Sequence, residues 1–127
     1  MNLAGVGLDL VDVVRVKRLI EQFGDRALER LLTPEERRYC LSKATPARCV
    51  AARVAAKEAA YKALSQAGAD QVVWWQDVEV VRDGAGKPTL AFHGKGKAVA
   101  EKLCIKDSRI SLTHSDSQAG AIVILLR

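Results

Sequence analysis

The chain has 127 residues, 49% of them hydrophobic and 28% charged, an ordinary water-soluble composition at a length that suits one domain. No apolar run approaches the length of a membrane span, and Met1-Asn2-Leu3 opens no basic, cleavable leader, so the expected compartment is the cytoplasm, with no membrane partner. The net charge of +5 points to an acidic partner: nucleic acid, a phosphorylated small molecule or an acidic protein.

Residues 3–11 read as a strand, with Ala4, Val6, Leu8 and Leu10 on one face and Gly5, Gly7 and Asp9 on the other. A helix over 12–23 follows, capped by Asp12 and stopped by Gly24, with Val16, Leu19, Ile20 and Phe23 as its apolar stripe. Thr33-Pro34-Glu35-Glu36 is a helix start, and that helix runs to about residue 42. A longer helix spans 47–66. Strands over 77–82 and 89–93 flank a hairpin loop, Asp83-Gly84-Ala85-Gly86-Lys87-Pro88. Residues 98–103 read as helix, and Gly94-Lys95-Gly96-Lys97 before them reads as the start of a helix. That stretch lacks the spacing of a phosphate loop. Strands over 109–114 and 120–126 form a second hairpin. The last is apolar at nearly every position, so it is expected to be covered on both faces.

Cys40, Cys49 and Cys104 form no C-x-x-C pair, which indicates neither a zinc site nor a disulfide framework. They read as reduced thiols packed as small apolar side chains. The pattern as a whole predicts an α+β fold over residues 1–127: a single compact domain with a small antiparallel sheet packed around a long central helix.

That helix is unusual. Val50, Val54, Tyr61 and Leu64 cluster on one side, and Ala52, Ala55, Ala56, Ala59 and Ala63 occupy the other, where a surface helix carries charge. It is expected to pack on several sides. Arg53, Lys57, Glu58 and Lys62 therefore sit on or beside apolar surface, and buried charge is costly unless paired or bound to an ion. By spacing alone, Glu58 and Lys62 are an ordinary helical ion pair worth about 0.2–0.5 kcal/mol. By position alone, Asp9 is a metal ligand, a helix cap or a solvated strand end. His114, in register with Ile110 and Leu112, is a core histidine or a site residue.

Three blocks taken together resemble the holo-acyl-carrier-protein synthase group of phosphopantetheinyl transferases. They are Gly5-Val6-Gly7-Leu8-Asp9-Leu10 with Arg15, Arg53-Val54-Ala55-Ala56-Lys57-Glu58-Ala59 with Lys62, and Ile110-Ser111-Leu112-Thr113-His114-Ser115 with Ala119 and Ala121. Leu32-Thr33-Pro34-Glu35-Glu36 and Gly86-Lys87-Pro88 also fit, in the family's order, so the resemblance covers essentially the whole chain. One departure stands out. The family has a Gly-Thr-Gly-like turn soon after the lysine, whereas this chain reads Leu64-Ser65-Gln66-Ala67-Gly68-Ala69, leaving Gly68 as the pivot of the nucleotide loop.

The resemblance implies transfer of the 4'-phosphopantetheine arm of coenzyme A to a serine of apo-acyl carrier protein, for fatty-acid biosynthesis, releasing adenosine 3',5'-bisphosphate. It implies Mg2+ held by Asp9 and Glu58, an ion that prefers oxygen ligands. Catalysis would fall to Glu58, Lys62 and Asp9. Glu58 is the first candidate for the base that takes the serine proton, directly or through a water on the metal. Coenzyme A binding would involve Arg53, Lys62, His114, Gly68 and Pro88. Arg15, Arg18, Gln22 and Arg26 form a basic face for the acidic carrier protein, provided the helical direction continues past Gly24. The family also implies a homotrimer with active sites between subunits. Competing readings are another magnesium-dependent nucleotide or phosphate transferase, or a non-catalytic basic nucleic-acid-binding module. Aromatic residues amount to only 5% and do not alternate with basic ones as a stacking platform does, so no nucleic-acid partner is expected.

Overall fold

A computed structural model describes residues 1–127. In chain order the elements are β1 (Leu3–Asp12), α1 (Val13–Phe23), α2 (Asp25–Leu31), α3 (Pro34–Leu41), α4 (Pro46–Gln66), β2 (Val78–Arg82), β3 (Pro88–Phe92), α5 (Gly94–Lys102), β4 (Asp107–His114) and β5 (Gln118–Leu126). The antiparallel strands divide between a three-stranded sheet, β1-β5-β4, and a hairpin, β2-β3. Every strand predicted from sequence is present. The sequence reading missed α2 and the short 3-10 turn over Trp75–Asp77. Helix α5 starts at Gly94, so the Gly94-Lys95-Gly96-Lys97 stretch is its first turn, the helix start expected from sequence.

Helix α4 is the hub. Its alanines Ala51, Ala55, Ala56, Ala59, Ala60 and Ala63 are fully buried, as its composition foretold. Ala55, Ala56, Ala59, Ala60 and Ala63 share one core cluster with Ala121, Val123 and Leu125 of β5, and Ala51 lies in a second with Ala119. On β1 the inward face is the glycine face. A Cβ on Gly5 would sit 2.1 Å from the carbonyl oxygen of Ala63, and one on Gly7 would sit 1.7 Å from that of Ala59. Strand and helix thus meet backbone to backbone, an approach that only glycine permits.

The opposite face of this sheet is open. Leu8 and Leu10 are each 67% exposed, and Ile122 of β5 is 37% exposed. The expectation that β5 is covered on both faces therefore fails for the isolated chain. One side lies under α4, and the other faces outward.

Local caps follow the sequence. Asp12 caps α1 by accepting from Val14 N at 2.9 Å. Thr33 and Glu36 form the reciprocal capping box of α3. Glu36 does more: its Oε2 accepts from Val80 N at 2.8 Å, tying the start of α3 to β2. Gly24, at φ +58°, ends α1 and redirects the chain into α2.

Candidate functional site

Asp9 lies on β1 two residues past Gly7, so strand alternation places it on the glycine side, toward α4. Helical side chains lean toward the N-terminus of their helix, which lets Lys62 reach back along α4 to that strand. Its Nζ donates to Asp9 Oδ1 at 3.0 Å and to the Leu8 carbonyl at 3.1 Å. The local Glu58–Lys62 ion pair anticipated from spacing is absent, since the lysine pairs with a residue distant in sequence.

Glu58 stands one turn before Lys62. Its carboxyl is pushed above the ordinary glutamate range, first by burial and then by the negative charge of Asp9, with Lys62 acting in the opposite direction. The burial has a visible source. Glu58 borders an apolar cavity lined by Tyr61, Val72, Val73, Trp74 and Trp75. Sequence reading overlooked these residues, although the Val-Val-Trp-Trp run carries both tryptophans of the chain. Two carboxylates in mutual repulsion, with a lysine alongside, make a donor set that suits a divalent cation. The chemistry of this donor set fits a magnesium ion, which Asp9 and Glu58 would hold.

Arg53, His114 and Pro88 meet in a second cavity, which shares no lining residue with the first. Lys43, Arg48 and Arg82 line it as well, so it is strongly basic. Arg53 is only 3% exposed. Its guanidinium lies 4.6 Å from the centre of the Tyr39 ring, and Lys43 and Arg82 approach that ring at 4.4 and 4.8 Å. Cations facing an aromatic ring are held by its quadrupole, which keeps three mutually repelling groups together. The Arg53 Nε has no hydrogen-bond partner despite its burial. Like charge concentrated in one hollow, with an unpaired buried donor, suits an anion such as phosphate. His114 is exposed and lies on the rim, beyond the core that Leu112 enters, so it is not a core histidine.

Gly68 sits apart from both cavities. At φ +113° it belongs to the turn that ends α4, where its own N–H donates to the Ser65 carbonyl and Ala69 N–H to that of Leu64. The departing residue Gln66 has a clear task here: its Oε1 accepts from Val6 N at 2.7 Å, pinning β1 to the end of α4.

Arg15, Arg18 and Gln22 are exposed on α1, immediately after the strand that carries Asp9. Arg26 does not continue their face, because the chain turns at Gly24; it lies on α2. There it borders a groove with Leu19, Phe23 and Arg30 between the two helices.

No helix is long and apolar enough to cross a membrane. The chain is 47% identical to a holo-[acyl-carrier-protein] synthase of Koribacter versatilis over 121 residues, covering 95% of this chain and 96% of the relative. The fold is similar to that of the Neisseria meningitidis holo-[acyl-carrier-protein] synthase, with a TM-score of 0.87 and 26% identity over 99% of this chain and 100% of the other. It is also similar to the Helicobacter pylori holo-[acyl-carrier-protein] synthase solved with coenzyme A, with a TM-score of 0.81 and 26% identity, covering 95% and 99% of the two chains. Residues 5–123 match the sequence profile of the 4'-phosphopantetheinyl transferase superfamily, and the chain belongs to that family.

Proposed function

We propose that this chain transfers the 4'-phosphopantetheine group from coenzyme A to a serine of an apo-acyl carrier protein, with adenosine 3',5'-bisphosphate as the second product. The observation that carries this reading is the convergence of Asp9, Glu58 and Lys62 from β1 and α4, in a chain of this family. Asp9 and Glu58 would hold a magnesium ion, whose contribution when bound is to neutralise and polarise the pyrophosphate.

Each residue of the chain then has a task. Glu58, raised by burial, is suited to accept the proton of the incoming serine. Lys62 places a cation where charge builds on the transferring phosphate. Asp9 orients Lys62 through their direct contact. Trp74 and Trp75 give Glu58 apolar neighbours in the cavity it borders. Arg53, with His114 and Pro88 beside it, offers the basic cavity to a further phosphate of the nucleotide.

One coenzyme A molecule must serve both the carboxylate cluster and the basic cavity. We read the chain as one subunit of a homotrimer in which neighbouring copies complete each site. The uncovered apolar surface at Leu8, Leu10 and Ile122 supports this reading. Arg15, Arg18 and Gln22 give the acidic carrier protein a basic landing face close to Asp9, with Arg26 on the adjoining helix.

The test is intact mass spectrometry of apo-acyl carrier proteins, from fatty-acid and polyketide systems, incubated with this protein, coenzyme A and magnesium. A gain of one phosphopantetheine on a carrier serine is expected. No gain on any carrier would reject the assignment.

A further inference from the structure

One aromatic ring stands among the cations of the basic cavity. Tyr39 lies in the last turn of α3 and lines that cavity. Lys43 reaches its ring from the segment between α3 and α4, Arg53 from α4 and Arg82 from the end of β2, at 4.4, 4.6 and 4.8 Å from the ring centre. None of the three cations forms a salt bridge.

Carboxylates are close at hand, yet they are engaged elsewhere. Tyr39, Arg53 and Arg82 also line an adjoining cavity that holds Glu35, Glu36 and Glu79. Glu35 pairs with Arg38, Glu36 with Lys57 and Glu79 with His93. Three cations are thus left without a counter-charge, and the most buried of them, Arg53, keeps an Nε with no partner. Like charges brought this close repel one another. The negative face of an aromatic ring attracts each of them. A single side chain therefore gathers cations from three separate segments of the chain.

Coenzyme A carries a pyrophosphate and, apart from it, one phosphate on the 3' position of its ribose. The carboxylate cluster takes the pyrophosphate in the proposed reaction, which leaves the 3'-phosphate for the basic cavity. We propose that Tyr39 is a positioning residue that assembles Lys43, Arg53 and Arg82 into a preformed receptor for the nucleotide 3'-phosphate, an inference that rests on the coenzyme A reading given above. The ring acts through the cations. Holding them together in advance removes part of the ordering and repulsion that phosphate binding would otherwise have to overcome. Tyr39 thereby selects between nucleotides with and without the 3'-phosphate, and it contributes nothing at the reacting phosphorus.

The experiment is calorimetric titration of the full chain with adenosine 3',5'-bisphosphate and with adenosine 5'-monophosphate, which differ only in the 3'-phosphate. The unmutated protein should prefer the bisphosphate. In Tyr39→Leu that preference should shrink by about tenfold, the scale of cation–π contacts in a partly buried site, while affinity for the monophosphate holds. Tyr39→Phe keeps the ring and should keep the preference. Should the leucine variant fail to fold, phenylalanines of increasing fluorine content at position 39 preserve the ring's shape while draining its negative face, and the preference should fall step by step. In the transfer assay, Tyr39→Leu should raise KM for coenzyme A and leave kcat unchanged. The titrations need no turnover, so a chain that transfers nothing would reject the enzymatic reading while they still judge Tyr39. No bisphosphate preference in the unmutated chain, a preference retained in Tyr39→Leu, one lost equally in Tyr39→Phe, or one indifferent to fluorination would overturn the proposal.

Discussion

The Lys57 ammonium lies 2.7 Å from the Glu36 carboxylate, with only 2% and 0% of the two side chains exposed. Lys57 also donates to the carbonyls of Trp75 and Val78, at 2.6 and 2.7 Å, while Glu36 accepts from the N–H groups of Thr33 and Val80. This pair joins α3 to α4 at the apolar cavity that both Lys57 and Glu58 line. Burial pushes Lys57 below the usual lysine range, against the pull of Glu36.

Lys57→Met is therefore expected to strip a sealed carboxylate of its partner. Loss of one member of a buried pair costs about 3–5 kcal/mol. Urea unfolding should show a clear drop in midpoint. An unchanged midpoint would mean that Glu36 finds another partner.

Glu58→Gln should abolish transfer, or lower it by about 10²–10⁴-fold, the range of a lost proton acceptor. The variant removes a charge from a half-buried position beside Asp9, so the thermal midpoint should hold or rise. Transfer at the unmutated rate would remove Glu58 from the mechanism.

The trio of Asp9, Glu58 and Lys62 shows how far the sequence could be read. Periodicity placed Asp9 with the glycines and exposed the odd position of Glu58 and Lys62, and the family blocks united them. What periodicity could not show was the partner: at i,i+4 a helical ion pair looks natural, yet Lys62 turns to β1. The α1–α2 break was missed because a glycine ends one helix and the next begins in the following residue. The basic cavity was half legible. Arg53, His114 and Pro88 were named, but Lys43, Arg48 and Arg82 converge only through tertiary packing. The same holds for Cys49, which lines that cavity.

Arg15→Glu should weaken carrier-protein binding by about tenfold or more, the size of one close interfacial charge pair, and leave coenzyme A binding unchanged. Calorimetric titrations with each ligand separate the two. Equal carrier affinity would dismiss the α1 face as the landing site.

Glu79 gives a stability prediction with a definite sign. Burial works to raise its carboxyl, but hydrogen bonds from Thr33 and His93 outweigh it and hold the group below the ordinary 4.5. A depressed carboxylate stabilises the fold above its unfolded value and loses that contribution as pH falls through the folded one. Compared with Glu79→Gln, the unmutated protein should be the more stable at neutral pH, and the gap should close as pH drops below about 4.5. A gap that widens on acidification would reverse the assignment.

Gly7→Ala should be far more damaging than an ordinary glycine replacement, because the new methyl would lie 1.7 Å from the Ala59 carbonyl oxygen. Forcing such an overlap costs about 1–3 kcal/mol or more, and it moves Asp9 relative to Glu58. Both thermal midpoint and transfer rate should fall. A loss of neither would refute the tight β1–α4 contact.

The obstacle at both glycines is a helix carbonyl oxygen, and that has a consequence for genetics. An overlap between side chains is relieved by trimming either one, so second-site suppressors are common. No substitution on α4 removes a peptide oxygen. Lesions at Gly5 or Gly7 are thus closed to repair by side-chain changes on the facing helix. Revertants should restore the glycine codon itself.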